Sequence, residues 1–380
     1  EKNGNFFLNE YIMISKINIL HTEWSDGWGG QEIRILAESL EFIKRGYGVS
    51  IAAQPNSQLI QKAREANISV LPLTMNKGFN IGAILKLIKF IKINKVNIIH
   101  THSSVDSRTG GIAGRIAGIK VVRSRHISMP VSKSWLTWFQ YMKLANRVIT
   151  SGEFIKQELI KVNKMLPERI VSAPAGVDEK RFSINKEASN IKVEFKIDKD
   201  CFIIGMVSVI RSWKGHEFVI RAMESLKKKI PNVHLLIVGD GPVKEKVLSL
   251  IKELSLEESI TLVGYQKDPV PFYQVMDVVV LPSYAGEATS QTLPQAMLMG
   301  KPVISTNIGG LPEVVIDRET GLIVLPKDSK SIYQAVLELF SDANLRDTIV
   351  KNGREHALNF FTFKKMVDTT EDVYIELLNK

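Results

Sequence analysis

The segment AGEATSQTLPQAM, residues 285–297, sets a carboxylate at Glu287 and a carboxamide at Gln295, with seven residues between them. Thr289, Ser290, Gln291 and Thr292 fill that interval with short polar groups, and Pro294 follows. Proline is tolerated in the first helical turn, where its missing N–H costs nothing, so the segment reads as a loop running into a helix. Backbone amides and hydroxyls gathered at such a point suit an anion. Glu287 on one side and Gln295 on the other would meet hydroxyls. A ligand that asks for all of this is a nucleotide sugar, with its sugar, diphosphate and ribose.

Two further segments carry charge or glycine where a phosphate would need it. SVIRSWKGHE places Arg211 and Lys214 three residues apart in a loop between a strand and a helix. Such a pair can hold a diphosphate and neutralise charge as it departs. DGWGGQE, ahead of an amphipathic helix, offers Gly29 and Gly30 as a place where a phosphate could approach free amides. It matches neither the Walker A pattern nor the dinucleotide G-x-G-x-x-G, and by itself a tight turn explains it. Arg125 and His126 close another strand-like run, VVRSRH, and are candidates for an acceptor or a donor phosphate. His100 and His102 share one side of NIIHTH, with His100 expected inside and His102 at the strand end. No His/Cys/carboxylate set with metal-ligand spacing is visible, so no metal and no other cofactor is expected.

These residues need elements to hold them. Apolar, β-branched runs recur as KINILHT, GVSIAAQ, ISVLPL, NIIHTH, KVVRSRH, RVITSG and RIVSAP, then as FIIGMVS, HLLIVGD, ITLVGY, VVVLPS, PVISTN and GLIVLP. Helix-period stretches separate them, which describes parallel sheets covered on both faces. The pattern begins afresh after residue 178, with APAGVDEKRF, 173–182, as the connection. The expected fold class is therefore α/β, two Rossmann-like doubly wound domains facing across a cleft: 15–173 for the acceptor and 178–358 for the nucleotide sugar, with a last helix over 361–380 packed back on the first. Every polar segment above follows a strand, where ligands of open parallel sheets collect.

Length and composition agree. A chain of 380 residues exceeds what one hydrophobic core supports. A single cysteine, Cys201, excludes an internal disulfide and fits a reducing compartment. The net charge of +10 is uneven, for residues 1–175 carry 24 Lys/Arg against 12 Asp/Glu and the remainder carries 26 against 28. The front half should meet something acidic. No run reaches a membrane-spanning length, and residues 1–14, without a secretion signal, read as an ill-defined extension. As a helix, 81–93 would bury Ile81, Ile84, Leu85, Ile88 and Ile91 and turn Lys86, Lys89, Phe90 and Ile93 outward, a face suited to anionic lipid. SWLTWFQYM, with Trp135 and Trp138, reads as core packing.

Taken in order, GWGGQE, HTHSS, PAGVDEKRF, RSWKG, VGDGP, VGYQKDPVPFYQVMDVVVLPS and GKPVISTNIGGLPEVVIDRETGLIV resemble the retaining glycosyltransferases of family 4 across nearly the whole chain. That family has the GT-B architecture and a signature of two glutamates separated by seven residues. Here Glu287 is followed by Ala288 rather than glycine, and the second glutamate is Gln295. The resemblance implies that Glu287 and His102 orient the donor sugar, that Arg211 and Lys214 hold the diphosphate, and that Gln295 takes the ribose with weaker recognition. A carboxamide oxygen accepts a hydrogen bond but lacks the charge of a carboxylate.

The resemblance further implies metal-independent, retaining transfer from a UDP- or GDP-sugar to a hydroxyl of a glycan, lipid-linked or phosphorylated acceptor, in bacterial envelope polysaccharide synthesis. The expected place is the cytoplasm, with peripheral contact at the anionic inner face of the membrane. A nucleotide-sugar epimerase and a non-catalytic nucleotide-sugar-binding protein share these features. An NAD dehydrogenase would need the missing dinucleotide fingerprint, and no aromatic-basic module recommends nucleic acid.

Overall fold

The structure is a computed structural model and describes residues 17–78, 80–184 and 190–379; the extension over 1–14 lies outside them. All thirteen strand-like runs form strands, divided between two parallel sheets. Two compact units result. One runs to Ala173 and resumes at Val367, and the other is Pro174–Met366.

The first unit holds β1 (Asn18–Glu23), β2 (Gly48–Ala53), β3 (Ser69–Pro72), β4 (Ile98–Thr101), β5 (Lys120–Arg125), β6 (Arg147–Thr150) and β7 (Ile170–Ser172), in the order β3-β2-β1-β4-β5-β6-β7. Strand order reverses between β1 and β4, where His21 lies opposite His100 and Thr22 opposite Thr101. The crossovers leaving β1 and β4 depart in opposite directions, so no helix roofs the carboxyl ends there. Helix α1 (Gly30–Lys44) follows β1 and buries Ile35, Glu38, Ser39 and Phe42.

Helix α2 (Ile81–Ile93) buries Ala83, Ile84, Leu87 and Ile91. Its register differs from the expected one: Ile81, Leu85 and Ile93 are exposed, beside the exposed Lys86, Lys89 and Lys92, while Phe90 is half-buried. Ala83 and Leu87 provide the small and large residues that meet the sheet, and this rotates the isoleucines at the helix ends outward. Trp135 also departs from the core reading, being exposed and stacked on Phe139, whereas Tyr141 and Met142 are buried. Helix α3 (Ser104–Ala117) follows β4.

The second unit holds β8 (Phe202–Val207), β9 (Val233–Val238), β10 (Ile260–Gly264), β11 (Val278–Leu281), β12 (Val303–Thr306) and β13 (Leu322–Val324), in the order β10-β9-β8-β11-β12-β13. Here the reversal lies between β8 and β11. Two apolar clusters cover the two faces of the sheet. Every residue of β9 and β11 is buried, which accounts for their apolar sequences; the one polar side chain, His234 of β9, is paired with the Thr261 hydroxyl at 2.8 Å. Helix α4 (His216–Leu226) leaves the β8 loop, and the short α5 (Thr292–Leu298) leaves the β11 loop.

The last helix, α6 (Phe363–Leu378), carries the chain back to the first unit. There Val367, Thr370, Val373, Tyr374 and Leu377 are buried. The Tyr374 hydroxyl pairs with His100 Nδ1 at 2.6 Å, Asp368 lies 2.8 Å from Arg45, and Glu371 accepts the Tyr47 hydroxyl at 2.7 Å. Tyr374 is thus both a core side chain and a hydrogen-bond partner. Tyr374→Ala should lower the stability of the first unit by about 3–5 kcal/mol, the usual cost of emptying an aromatic core site. Urea denaturation followed by circular dichroism checks this, and an unchanged midpoint would show that the last helix is not part of that core.

Candidate active site

In the second unit the loops after β8 and β11 meet at the strand-order reversal. Lys214 Nζ lies 2.5 Å from Glu287 Oε1, and the Ser283 hydroxyl donates to the same oxygen at 2.5 Å. The pair is largely withdrawn from water, with side-chain exposures of 19% and 6%. Removing either partner would strand a charge in a poorly solvated place. The loops are drawn together by the Tyr284 amide donating to Trp213 O at 2.8 Å.

Two glycines make this approach possible. Gly215 has φ +80°, and a Cβ there would stand 2.3 Å from Pro282 O; Gly309 has φ +59°, and its Cβ would stand 2.1 Å from Glu287 O. Any side chain at Gly309 would push against the backbone of Glu287 itself. The neighbouring Gly310 amide donates to that same carbonyl at 3.3 Å.

The two expected cations part company. Lys214 turns inward to Glu287, while Arg211 is exposed, with its guanidinium 5.1 Å from the Trp213 ring centroid. Arg211 also borders a cavity of about 470 Å³ whose walls include Glu217, Val247, Leu250 and Tyr284. That cavity lies beside α4 and is not lined by Glu287. The ion pair and the hollow are therefore separate features of this end of the sheet.

Around α5, several groups expected to face a ligand are engaged by the protein. The Thr292 hydroxyl donates to Val207 O at 2.8 Å, the Gln291 carboxamide donates to Gly176 O at 3.0 Å, and Ser290 Oγ accepts the Thr292 amide at 3.3 Å. These bonds fasten the loop in place. Thr289, half-buried, stands two residues beyond Glu287. Gln295 Oε1 lies 3.0 Å from the hydroxyl of buried Tyr273, which is also 3.2 Å from Thr292 O. Burial raises the phenol pKa and keeps its proton in place. With that hydrogen bond made to Gln295, the carboxamide keeps its two N–H donors and one oxygen lone pair for a ligand.

In the first unit the loop after β1 is shaped by carboxylates. Glu23 Oε1 accepts the Ser25 amide at 2.8 Å and its other oxygen pairs with Gln31 Nε2, while Glu32 Oε2 accepts the Gly29 amide at 2.8 Å. The free amides expected at Gly29 and Gly30 are corrected in part. Glu32, three residues on, reaches back to the start of α1 and already places negative charge there, as capping glutamates do. A Cβ at Gly30 would meet no protein atom within 4 Å, so the surrounding backbone does not itself require glycine there. Glu23 escaped the sequence reading; burial first, and then Asp106, push its carboxyl up to about 8. A lone acid ending an otherwise buried strand was the available signal.

His102 is buried, and both ring nitrogens are taken: Nε2 by His21 Nδ1 at 2.9 Å and Nδ1 by His126 Nε2 at 3.0 Å. His100 is equally engaged, by Tyr374 and by Ser124 Oγ at 2.8 Å. A substrate could reach the His102 ring only by displacing another histidine. The half-buried His126 is the accessible end, and beside it Arg125 donates to Met129 O at 2.6 Å. His21, His100 and His102 each bring a potential ligand atom within 4.8 Å of the others, a grouping that spacing along the chain did not reveal. Of their six ring nitrogens only His21 Nε2 lacks a partner, so the donor set is already spent on hydrogen bonds.

With this geometry established, likeness to known proteins becomes informative. The model described as Glycosyltransferase Family 4 matches residues 28–181, and that described as Glycosyl transferases group 1 matches residues 187–356. The chain belongs to glycosyltransferase family 4. Among curated family relatives, a capsular polysaccharide biosynthesis glycosyltransferase, CapM of Staphylococcus aureus, is 26% identical over 92% of this chain and 96% of its own. The UDP-Gal:alpha-D-GlcNAc-diphosphoundecaprenol alpha-1,3-galactosyltransferase of Escherichia coli is 28% identical over 78% of this chain and 79% of its own. Among solved structures, a Rickettsia africae glycosyltransferase superposes with a TM-score of 0.87 at 24% identity, covering 96% of this chain and 99% of its own. Anabaena HepE, crystallised with UDP, gives 0.85 at 20% identity, covering 95% and 100%. The fold is that of GT-B glycosyltransferases, two Rossmann-like domains each with a parallel sheet, and the chain is a glycosyltransferase enzyme.

Two measurements follow from the site. Tyr273→Phe removes the proton shared with Gln295 and should weaken donor binding by about 1 kcal/mol, the net worth of one hydrogen bond, seen as a several-fold change in KM with kcat nearly constant. No change in either constant would detach Tyr273 from the site. Burial holds His21 down to about 3, and burial also lowers His100, His102 and His126. Below about pH 6.5 the unfolded chain binds protons that the folded rings refuse. The histidines' share of the stability is therefore full above that pH and is lost as the pH drops toward 3, with His21 alone costing roughly 2 kcal/mol at pH 5, while Glu23, held up at about 8, acts in the opposite sense. Denaturation midpoints at pH 7.5 and pH 5 for the parent and for His21→Phe check this: acidification should cost the variant less than the parent, and an identical pH dependence would contradict it.

Proposed function

We propose that this glycosyltransferase moves a sugar, with retention and without a metal, from a UDP- or GDP-sugar to a hydroxyl of a lipid-linked or phosphorylated glycan in bacterial envelope polysaccharide synthesis. The Lys214–Glu287 pair at the β8/β11 reversal carries the reading. A diphosphate arriving there offers Lys214 a stronger anionic partner, which frees Glu287 to accept hydroxyls of the sugar. Binding and activation of the site are then one exchange of ion pairs.

As the bond from C1 to the diphosphate breaks, positive character grows on the sugar ring and negative charge on the departing oxygen. Lys214, with Arg211 able to swing in from Trp213, would neutralise that oxygen. The departing phosphate takes the proton of the acceptor hydroxyl, and attack on the face it leaves retains configuration. Cationic side chains supply the neutralisation, so a metal is not needed in this scheme. Gln295 would meet the ribose through its amide.

The acceptor class rests on the first unit and on the relatives. CapM by name serves capsular polysaccharide, and the E. coli relative by name acts on a diphosphoundecaprenol-linked sugar. The exposed Ile81, Leu85 and Ile93 of α2, among lysines 86, 89 and 92, suit docking to anionic lipid. Among the described residues no helix is long and apolar enough to cross a membrane.

Incubation with a panel of UDP- and GDP-sugars, scored by released nucleotide, tests the reading. Glu287→Ala and Lys214→Ala should reduce release by about 100-fold or more, as the loss of a charge-stabilising group does. Gln295→Glu should keep or raise it, and a chelator should leave it unchanged. Thermal melts of each variant separate lost chemistry from lost folding. Failure to release nucleotide from any donor would sink the proposal, and recovery of an epimerised nucleotide sugar would replace it with the epimerase.

A further inference from the structure

The first sheet contains a line of three imidazoles that the proposed chemistry does not fully use. His21 sits inside β1, His102 just beyond β4 and His126 just beyond β5. They are joined as His21 Nδ1 to His102 Nε2 at 2.9 Å and His102 Nδ1 to His126 Nε2 at 3.0 Å. Neighbouring rings lie 5.2 and 5.3 Å apart, centroid to centroid, and are near parallel. His100 does not branch the line, because Tyr374 and Ser124 occupy its two nitrogens.

Each neutral imidazole carries one N–H, and each of the two contacts requires one. The middle ring can donate to only one neighbour and must accept from the other. Only two arrangements of the whole line exist. In one, all three rings are protonated at Nδ1, so His21 donates to His102, His102 donates to His126, and His126 holds its own N–H outward. In the other, all three are protonated at Nε2, and the line runs the opposite way.

The inner end decides between them. His21 Nε2 is buried and has no hydrogen-bond partner. The second arrangement would bury an N–H there with nothing to receive it, which folded proteins avoid more strictly than a bare acceptor nitrogen. The first leaves only an unprotonated nitrogen at that point. The outer end is different: His126 is half-buried, and none of its hydrogen bonds involves Nδ1.

We propose that His21 is a positioning residue which, through His102, fixes His126 in the Nδ1–H form, so that an uncharged histidine presents one N–H donor to an oxygen of the substrate. The part of this concerning substrate rests on the proposed glycosyl transfer, and the ligand atom is a hydroxyl or phosphate oxygen. Burial first, and then the positive charges of Arg34 and Arg125, disfavour an added proton on His126, so the donor stays neutral.

The full chain, labelled with 15N in its histidines, tests the assignment by two-bond proton–nitrogen correlation at pH 7. Signals are assigned through their loss in His126→Asn and His21→Phe. Protonated Nδ1 at His21, His102 and His126 is expected. Protonated Nε2 at His126, or a doubly protonated ring at any of the three, overturns the proposal. A second arm compares nucleotide release from donor sugars. His126→Asn, whose amide N–H stands near the Nδ1 position, should stay within about 3-fold of the parent, whereas His126→Phe should lose about 10-fold, the worth of one hydrogen bond. Equal losses would remove the donor role. If the parent itself releases no nucleotide, the proposed function fails while the tautomer measurement still decides the positioning of His126.

Discussion

A lysine and a glutamate 73 residues apart in sequence, bonded at 2.5 Å, are the contact on which the second unit is organised. Neither side chain could stand there alone. The withdrawal from water that strengthens their attraction also makes each costly without the other. The β8 and β11 loops must therefore close on one another, and the backbone adapts to let them. Glycine at 215 and 309 removes the Cβ that would hold the strand ends apart, and Ser283 and Thr306 tie the loop to its neighbours. The architecture of both loops is a consequence of the same ion pair.

The first unit is built on the opposite principle. At its reversal of strand order the side chains are histidines, held neutral by burial, and polarity is carried by the direction of hydrogen bonds rather than by charge. The two units thus offer a substrate different things. One has a fixed cation and a carboxylate, suited to a charged leaving group; the other has oriented dipoles beside a basic surface, suited to hydroxyls and to whatever carries them.

Much of this was legible in sequence. Most strands could be read because parallel strands buried on both faces leave largely apolar runs, and the restart after residue 178 follows from the same rule. Glu287, Lys214 and Arg211 could be placed at strand ends for that reason. What could not be read depended on side-chain direction. Nothing along the chain says that Lys214 turns to Glu287 while Arg211 turns to Trp213, or that Thr292 donates to Val207 O. The rotation of α2, with Ile81 and Leu85 outward, escaped because an almost wholly apolar helix has no clear face. His21 was overlooked because its partners come from β4 and β5, whose adjacency to β1 is a property of strand order and not of spacing.

The return of α6 to the first unit has a consequence for biosynthesis. Tyr374 fills a fully buried position against residues made more than 270 positions earlier, as its bond to His100 records. A ribosome releasing the chain from its amino end would extrude the whole second unit before the first could acquire its last core element. The earlier-made half must wait, with apolar surface uncovered, for the later-made half to be finished. Nascent chains of this kind have reason to engage a chaperone at their front half, and the order in which the two units mature is the reverse of the order in which they are translated.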